Sequence, residues 1–226
     1  MIRPYLYFAF LFIFFMASCS ESSNADRNRT TDSEAQAQPL DQDTAGLAKA
    51  VFAGGCFWCT EAYFERLKGV EAVVSGYAGG KEPNPSYDEV SAGRTGHAEA
   101  VQVYYDSTKI TYQGLLEVFF ATHDPTTLNR QGPDVGKQYR SIVFYSNPQQ
   151  KKQAEDYIKE LEEAGTFKNK ILTYVQPLRK FWPAEDYHQD YYRLNPDDPY
   201  VRSVARPKVQ KFESNFRDKL KPEYIK

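Results

Sequence analysis

The chain is predicted to fold as an α/β (α+β) sandwich with a ferredoxin-like βαββαβ core and an irregular C-terminal segment. Two observations predict it. Short apolar, strand-like runs alternate with helix-period segments from about residue 47 onward, and neither an internal repeat nor a second linker interrupts them. Lys49-Ala50-Val51-Phe52-Ala53 reads as a short buried strand, stopped by Gly54-Gly55. A helix follows from Cys56, because Phe57, Thr60, Phe64 and Leu67 lie at helical spacing, and Gly69 marks its stop. Residues 70–77 are strand-like, and Gly79-Gly80 with the Pro/Asn stretch at 83–85 marks a loop. Residues 98–105 give the clearest strand. Residues 110–123 read as a helix, 141–145 as a strand, 149–164 as a charged amphipathic helix and 171–175 as another strand. The basic, aromatic tail from Pro207 either forms a last helix or packs irregularly on the domain.

Three regions are expected along the chain. In residues 1–19, Arg3 precedes an unbroken apolar run from Tyr5 to Ala17. The run is shorter than the roughly 20 residues a membrane span needs, and it fits a signal-peptide core. It ends in Met16-Ala17-Ser18-Cys19, which resembles the cleavage and lipidation box of bacterial lipoproteins, although that box usually opens with Leu. Cys19 is then the lipidated first residue of the mature chain. Plain secretion with cleavage nearby and an uncleaved short anchor are the alternatives. Residues 20–46, rich in Ser, Asn, Asp, Gln and Thr, have almost nothing to bury and read as a disordered tether. The globular domain is 47–226. The expected location is therefore the cell envelope, lipid-anchored; in a Gram-negative source Ser20 after the anchor points to the outer membrane.

A net charge of −2 gives no support for nucleic-acid binding. Aromatic content is high, with 17 Tyr and 15 Phe, which suits a site that is apolar and hydrogen-bonding at once. Of the three cysteines, Cys19 is spent on the anchor, which leaves the pair Cys56 and Cys59. Cys56 sits where a strand ends, two glycines turn and a helix begins. The partial positive charge of that helix start is expected to lower its pKa below the free value of about 8.5 and make it a nucleophilic thiolate. Cys59, three residues on, is placed to close a disulfide with it. Half a zinc site is disfavoured: there is no second cysteine pair, and His97, His123 and His188 show no ligand spacing. A static structural disulfide would close a tiny loop and stabilise little. A thioredoxin-like disulfide oxidoreductase is the serious rival. Phe57 and Trp58 between the cysteines are either ordinary core or the wall of a small apolar pocket in which a ring can hold a methyl group beside sulfur.

Gly55-Cys56-Phe57-Trp58 resembles the active-site signature of the A-type peptide-methionine sulfoxide reductases. The resemblance continues through Tyr77-Ala78-Gly79-Gly80, Asn84-Pro85-Ser86-Tyr87-Asp88-Glu89-Val90 and Thr95-Gly96-His97-Ala98-Glu99-Ala100-Val101. It extends through His123-Asp124-Pro125-Thr126, residues 129–136, Gln138-Tyr139-Arg140-Ser141 and Ala184-Glu185-Asp186-Tyr187-His188-Gln189, covering roughly residues 48–200. It implies that Cys56 attacks a sulfoxide sulfur and Glu99 supplies the proton to its oxygen. Tyr87 and Tyr139 donate hydroxyls to that oxygen, Asp134 organises polar groups of the substrate, and Phe57 with Trp58 cages the methyl group. Alternation along the strand agrees for Glu99, which shares a face with Val101, Val103 and Tyr105, so its carboxyl should be desolvated and its pKa raised. The resemblance also implies the S epimer of methionine sulfoxide as substrate, free or in proteins, and no bound cofactor or metal. Many members carry resolving cysteines near the C-terminus, and this chain has none after Cys59. Cys59 is therefore the only resolving candidate in the domain, and a thioredoxin-like protein or a dithiol is the expected reductant. A one-cysteine cycle, with external thiol attacking the sulfenic acid, is the alternative. The enzyme is expected to act as a monomer. A disulfide oxidoreductase and a peptide-binding envelope lipoprotein are the other readings.

Overall fold

Apolar residues on both faces of the first strand place it in the middle of a sheet. In β1 (Ala48–Ala53) Ala50 and Phe52 enter one core cluster while Val51 and Ala53 enter another, so the strand needs cover above and below. The computed structural model describes Thr44 and residues 46–225. The leader, Cys19 and all of the tether except Thr44 and Gly46 lie outside the described residues.

β1 pairs antiparallel with β3 (Ala98–Tyr105) on one side and β6 (Ile142–Tyr145) on the other, and β3 pairs antiparallel with β2 (Val70–Ala78). With α1 (Phe57–Glu65) between β1 and β2, and α3 (Tyr112–Thr122) between β3 and β6, these strands follow βαββαβ connectivity. The four lie in the order β6-β1-β3-β2, and the sheet is completed by β7 (Tyr174–Pro177), parallel to β6, and β8 (Phe181–Pro183), antiparallel to β2. The strand expected at 171–175 begins later, because Leu172 N–H donates to the Pro125 carbonyl at 2.7 Å, outside the sheet. Pairing with β6 starts at Tyr174. β8 is too short for its period to be read, and its terminal Pro183 is tolerated on an edge. The other elements are α2 (Tyr87–Ser91), a hairpin of β4 (Arg130–Gln131) and β5 (Asp134–Val135), α4 (Pro148–Glu163), α5 (Tyr191–Leu194) and α6 (Arg206–Asn215). Of the two possibilities for the tail, the helix forms.

Core on the helix side is aromatic. Phe52 stacks on Phe64 at 5.2 Å and on Phe119 at 5.0 Å between ring centroids, which locks β1 to α1 and α3. The opposite face is thinner, built from Val51, Ala53, Ala78, Ala98, Ala100, Ile142 and Phe144 under Leu178 and Phe181. α6 closes the far side of α1, with Phe212 against Tyr63 at 5.2 Å. α3 and α4 start on ordinary caps: Thr111 accepts from Gly114 N–H, and Asn147 from Gln150 N–H.

Candidate active site

The turn from β1 into α1 fixes the sulfur. Gly55 has φ +99°, and a Cβ there would come within 2.8 Å of the Gln131 side chain, so only glycine fits. Cys56 follows as the N-cap of α1, its carbonyl accepting from Cys59 N–H and Thr60 N–H. Both thiols are buried, Cys56 at 8% and Cys59 at 4% exposure, and they hydrogen-bond to each other.

The electrostatics of Cys56 correct the sequence expectation. Burial pushes its thiol well above the ordinary value, the hydrogen bond and charge of Cys59 push the same way, and only a hydrogen bond with the Tyr200 hydroxyl opposes them. The helix start does not rescue the thiolate, because Cys56 makes no side-chain cap bond and the first N–H, that of Phe57, is given to Glu99. Cys59 is held below its ordinary value by its hydrogen bond with Cys56, against burial, with help from the charge of Lys208.

Glu99 stands on β3 opposite Tyr77, 2% exposed, on the helix-side face with Val101, Val103 and Tyr105. Its Oε2 accepts from Phe57 N–H at 3.1 Å. Burial raises its pKa well above the carboxylate range, and the nearby Cys56 raises it further, which favours the protonated form that can donate. Tyr87 and Tyr139 are half-buried. Burial, the largest cause, keeps both phenols protonated and able to donate, and any negative charge on Glu99 or Cys56 acts the same way. Tyr87 opens α2, where Ser86 and Glu89 form a capping box and Glu185 Oε1 accepts Tyr87 N–H at 2.9 Å. The same carboxylate accepts the Tyr77 hydroxyl at 2.8 Å through Oε2. Tyr139 ends a 3-10 turn, Lys137–Tyr139, entered through Gly136 at φ +147°.

Aromatic rings wall the site. Phe57, 1% exposed, lies behind the others, with His188 at 5.2 Å and Tyr87 stacked at 6.3 Å. Trp58 is the partly exposed ring of the two; it stacks on Tyr191 at 3.7 Å, and its Nε1 donates to His188 Nδ1 at 3.1 Å. That bond needs a neutral histidine, and burial lowers the His188 pKa to about 4. Asp134, on the β4–β5 hairpin, accepts the Tyr200 hydroxyl at 2.8 Å. The hydroxyl of Tyr200 thus meets Asp134 and is also close enough to the Cys56 sulfur to stabilise a thiolate there.

The structure therefore gathers Cys56, Cys59, Glu99, Tyr87, Tyr139, Asp134, Phe57 and Trp58 in one region; Cys19 lies outside the described residues. Sequence reasoning assigned no role to Tyr200, Tyr191, His188 or Glu185. Glu185 and His188 fall inside a motif that carried the resemblance, which was the available signal. Tyr200 and Tyr191 had none, since they reach the site through long-range folding. Among the described residues no group of histidine, cysteine or carboxylate side chains could hold a metal ion.

Two thiols in contact, beside a carboxyl whose protonated form burial favours and phenols kept protonated, define a thiol-dependent oxidoreductase. A family model described as peptide methionine sulfoxide reductase matches residues 48–220, and the chain belongs to that family. It is 55% identical over 172 residues to the peptide methionine sulfoxide reductase MsrA 1 of Rhodopirellula baltica, covering 76% of this chain and 88% of that protein. It is 54% identical over 173 residues to the peptide methionine sulfoxide reductase MsrA of Natronomonas pharaonis, covering 76% of this chain and 97% of that one. Among solved structures it resembles Mxr1 from Saccharomyces cerevisiae in reduced form, with TM-score 0.62 and 37% identity over 67% of this chain and 87% of that chain.

Proposed function

We propose that this chain reduces the S epimer of methionine sulfoxide, free or in proteins, to methionine, and that it does so outside the cytoplasm on a lipid anchor at Cys19. The observation that carries the chemistry is the buried Glu99 carboxyl, hydrogen-bonded to the peptide N–H next to Cys56. A disulfide oxidoreductase has no proton to deliver there. Cys56 sulfur attacks the sulfoxide sulfur while Glu99 protonates the oxygen; the thiol proton restores Glu99. The bond formed between the two sulfurs then breaks as the hydroxyl passes from the substrate sulfur to Cys56, so that methionine leaves and Cys56 becomes a sulfenic acid. Tyr87 and Tyr139 donate to the oxygen as charge builds on it. Trp58 faces the methyl group, with Phe57 behind it, and Asp134 acts through Tyr200. Cys59 then condenses with the sulfenic acid, releasing water and leaving a Cys56–Cys59 disulfide for a thioredoxin-like protein or a dithiol to reduce. The domain works as a monomer.

Incubation with resolved sulfoxide epimers tests the reaction: methionine should form from the S epimer alone, and equal rates on both would refute the assignment. Mass spectrometry after one turnover tests the cycle, since a stable Cys56 sulfenic acid beside a free Cys59 would sink the intramolecular disulfide. Membrane fractionation of wild type and Cys19→Ser tests the anchor; equal membrane retention would exclude it.

A further inference from the structure

The aromatic wall continues past Trp58 and Tyr87. His188 packs on these rings at 5.7 and 4.2 Å, and Tyr187 packs on His188 at 4.1 Å between centroids. Burial ends abruptly at this step: His188 is 1% exposed and Tyr187 61%. Among the described residues the Tyr187 hydroxyl makes no hydrogen bond. A single exposed ring needs no explanation by itself. The surroundings of this one give it a meaning. The charges that reach its hydroxyl are those of Glu185 and Asp88, both negative. Asp88 is exposed, directly follows Tyr87 in α2, and forms no ion pair among the described residues. The nearby Arg94 is spent on the Asp88 carbonyl at 3.0 Å. Glu185 is fixed in place by Tyr87 N–H and the Tyr77 hydroxyl. An aromatic face is itself electronegative, so the ring and the carboxylates all attract the same thing, a cation.

We propose that Tyr187 and Asp88 form a specificity subsite for a basic side chain, Arg or Lys, on the residue next to the methionine sulfoxide in an oxidised polypeptide. The inference rests on the sulfoxide-reductase reading above. The spacing suits it. With the sulfoxide oxygen on Tyr87, the Tyr187 ring lies one histidine ring further out. Adjacent residues of a polypeptide are about 3.8 Å apart at Cα, so a flanking side chain arrives at this rim while the sulfoxide stays in the site. Arg fits better than Lys, because its planar guanidinium stacks on an aromatic face and hydrogen-bonds a carboxylate at the same time. Free methionine sulfoxide has no flanking residue and bypasses the subsite. The subsite therefore sorts polypeptide clients by sequence without touching the reacting atoms.

The test measures kcat/KM of the whole chain, with dithiothreitol as reductant, on end-blocked pentapeptides that carry one central S-sulfoxide. The other positions are Ala, except that the residue before or after the sulfoxide is Arg, Ala or Glu. Wild type should favour Arg over Glu by about tenfold at one of the two positions in low salt, from a cation–ring contact and an exposed charge pair together. The preference should shrink at about 0.5 M salt, which screens exposed charges. Tyr187→Leu keeps an apolar side chain without a ring, and Asp88→Asn keeps the shape without the charge. Each should cut the Arg-to-Glu ratio by about threefold or more, whereas Tyr187→Phe should retain it. Because every variant is read as a ratio between its own peptides, a general loss of folding or a shift of His188 cancels. A wild-type ratio within twofold of one at both positions would overturn the proposal. So would a wild-type ratio that survives in Tyr187→Leu. A single turnover of end-blocked methionine sulfoxide without reductant separates the two levels: methionine formed alongside flat peptide ratios refutes only the subsite, whereas no methionine refutes the sulfoxide-reductase reading beneath it.

Discussion

Replacing Glu99 by Gln removes one proton and little else. The amide is isosteric, and its Oε1 can still accept Phe57 N–H, the bond that Glu99 makes at 3.1 Å. The nucleophile and phenols should therefore stay where they are. What is lost is general-acid transfer to the sulfoxide oxygen, typically a factor of about 10²–10⁴. At about 1.36 kcal/mol per decade this raises the barrier by roughly 3–5 kcal/mol. The assay is methionine formed in a single turnover without reductant, which isolates oxygen transfer from regeneration. Its pH profile adds a signature. Burial raises the Glu99 pKa and the acid is the active form, so the wild-type rate should fall as pH rises through that raised value. Glu99→Gln should lack this falling limb. A variant within threefold of wild type, or one that keeps the limb, would refute the assignment of the acid.

Other outcomes follow from the same geometry. Tyr87→Phe and Tyr139→Phe should each slow single-turnover oxygen transfer by about 10²-fold, as loss of one oxyanion donor does, with melting temperature nearly unchanged because both rings are half-buried. Tyr200→Phe removes a hydroxyl that lowers the Cys56 pKa, so iodoacetamide labelling of Cys56 should shift to higher pH; an unchanged labelling profile would contradict that role for Tyr200. Burial lowers His123 and His188 to about 4. The unfolded chain then binds more protons below about 6.5, and stability should fall as pH drops from there through about 4, by up to about 3 kcal/mol for His123 and by less for His188, read by denaturant titration. Gly55→Ala meets both the positive φ and the Gln131 side chain at 2.8 Å, and should cost about 1–3 kcal/mol.

Local pattern made much of this legible. The run Phe57, Thr60, Phe64, Leu67 gave α1, and alternation along residues 98–105 put Glu99 on the core face before any tertiary contact was known. The state of Cys56 was not legible. A helix start is a local feature, but burial is summed over everything that packs around the sulfur, including Tyr200. The same holds for the Trp58–His188 bond, whose partners are 130 residues apart. The onset of β7 was misplaced because the Leu172 hydrogen bond to Pro125 depends on where a distant loop lies. Tyr200 carried no sequence signal because its meaning comes from Asp134 and Cys56, not from its neighbours.

The bond from Phe57 N–H to Glu99 has a mechanical consequence. The acid is tethered to the main chain of the residue that follows the nucleophile, not to any side chain of α1. Because Glu99 stands on β3 and Cys56 on the start of α1, that bond couples the helix start to the sheet, and a slide or tilt of α1 against β3 must stretch it. Alignment of the reacting groups is thus set by covalent geometry at one end and a single hydrogen bond at the other. The contact with the acid uses the Phe57 peptide and not its ring, so the ring is left to pack on His188 and Tyr87.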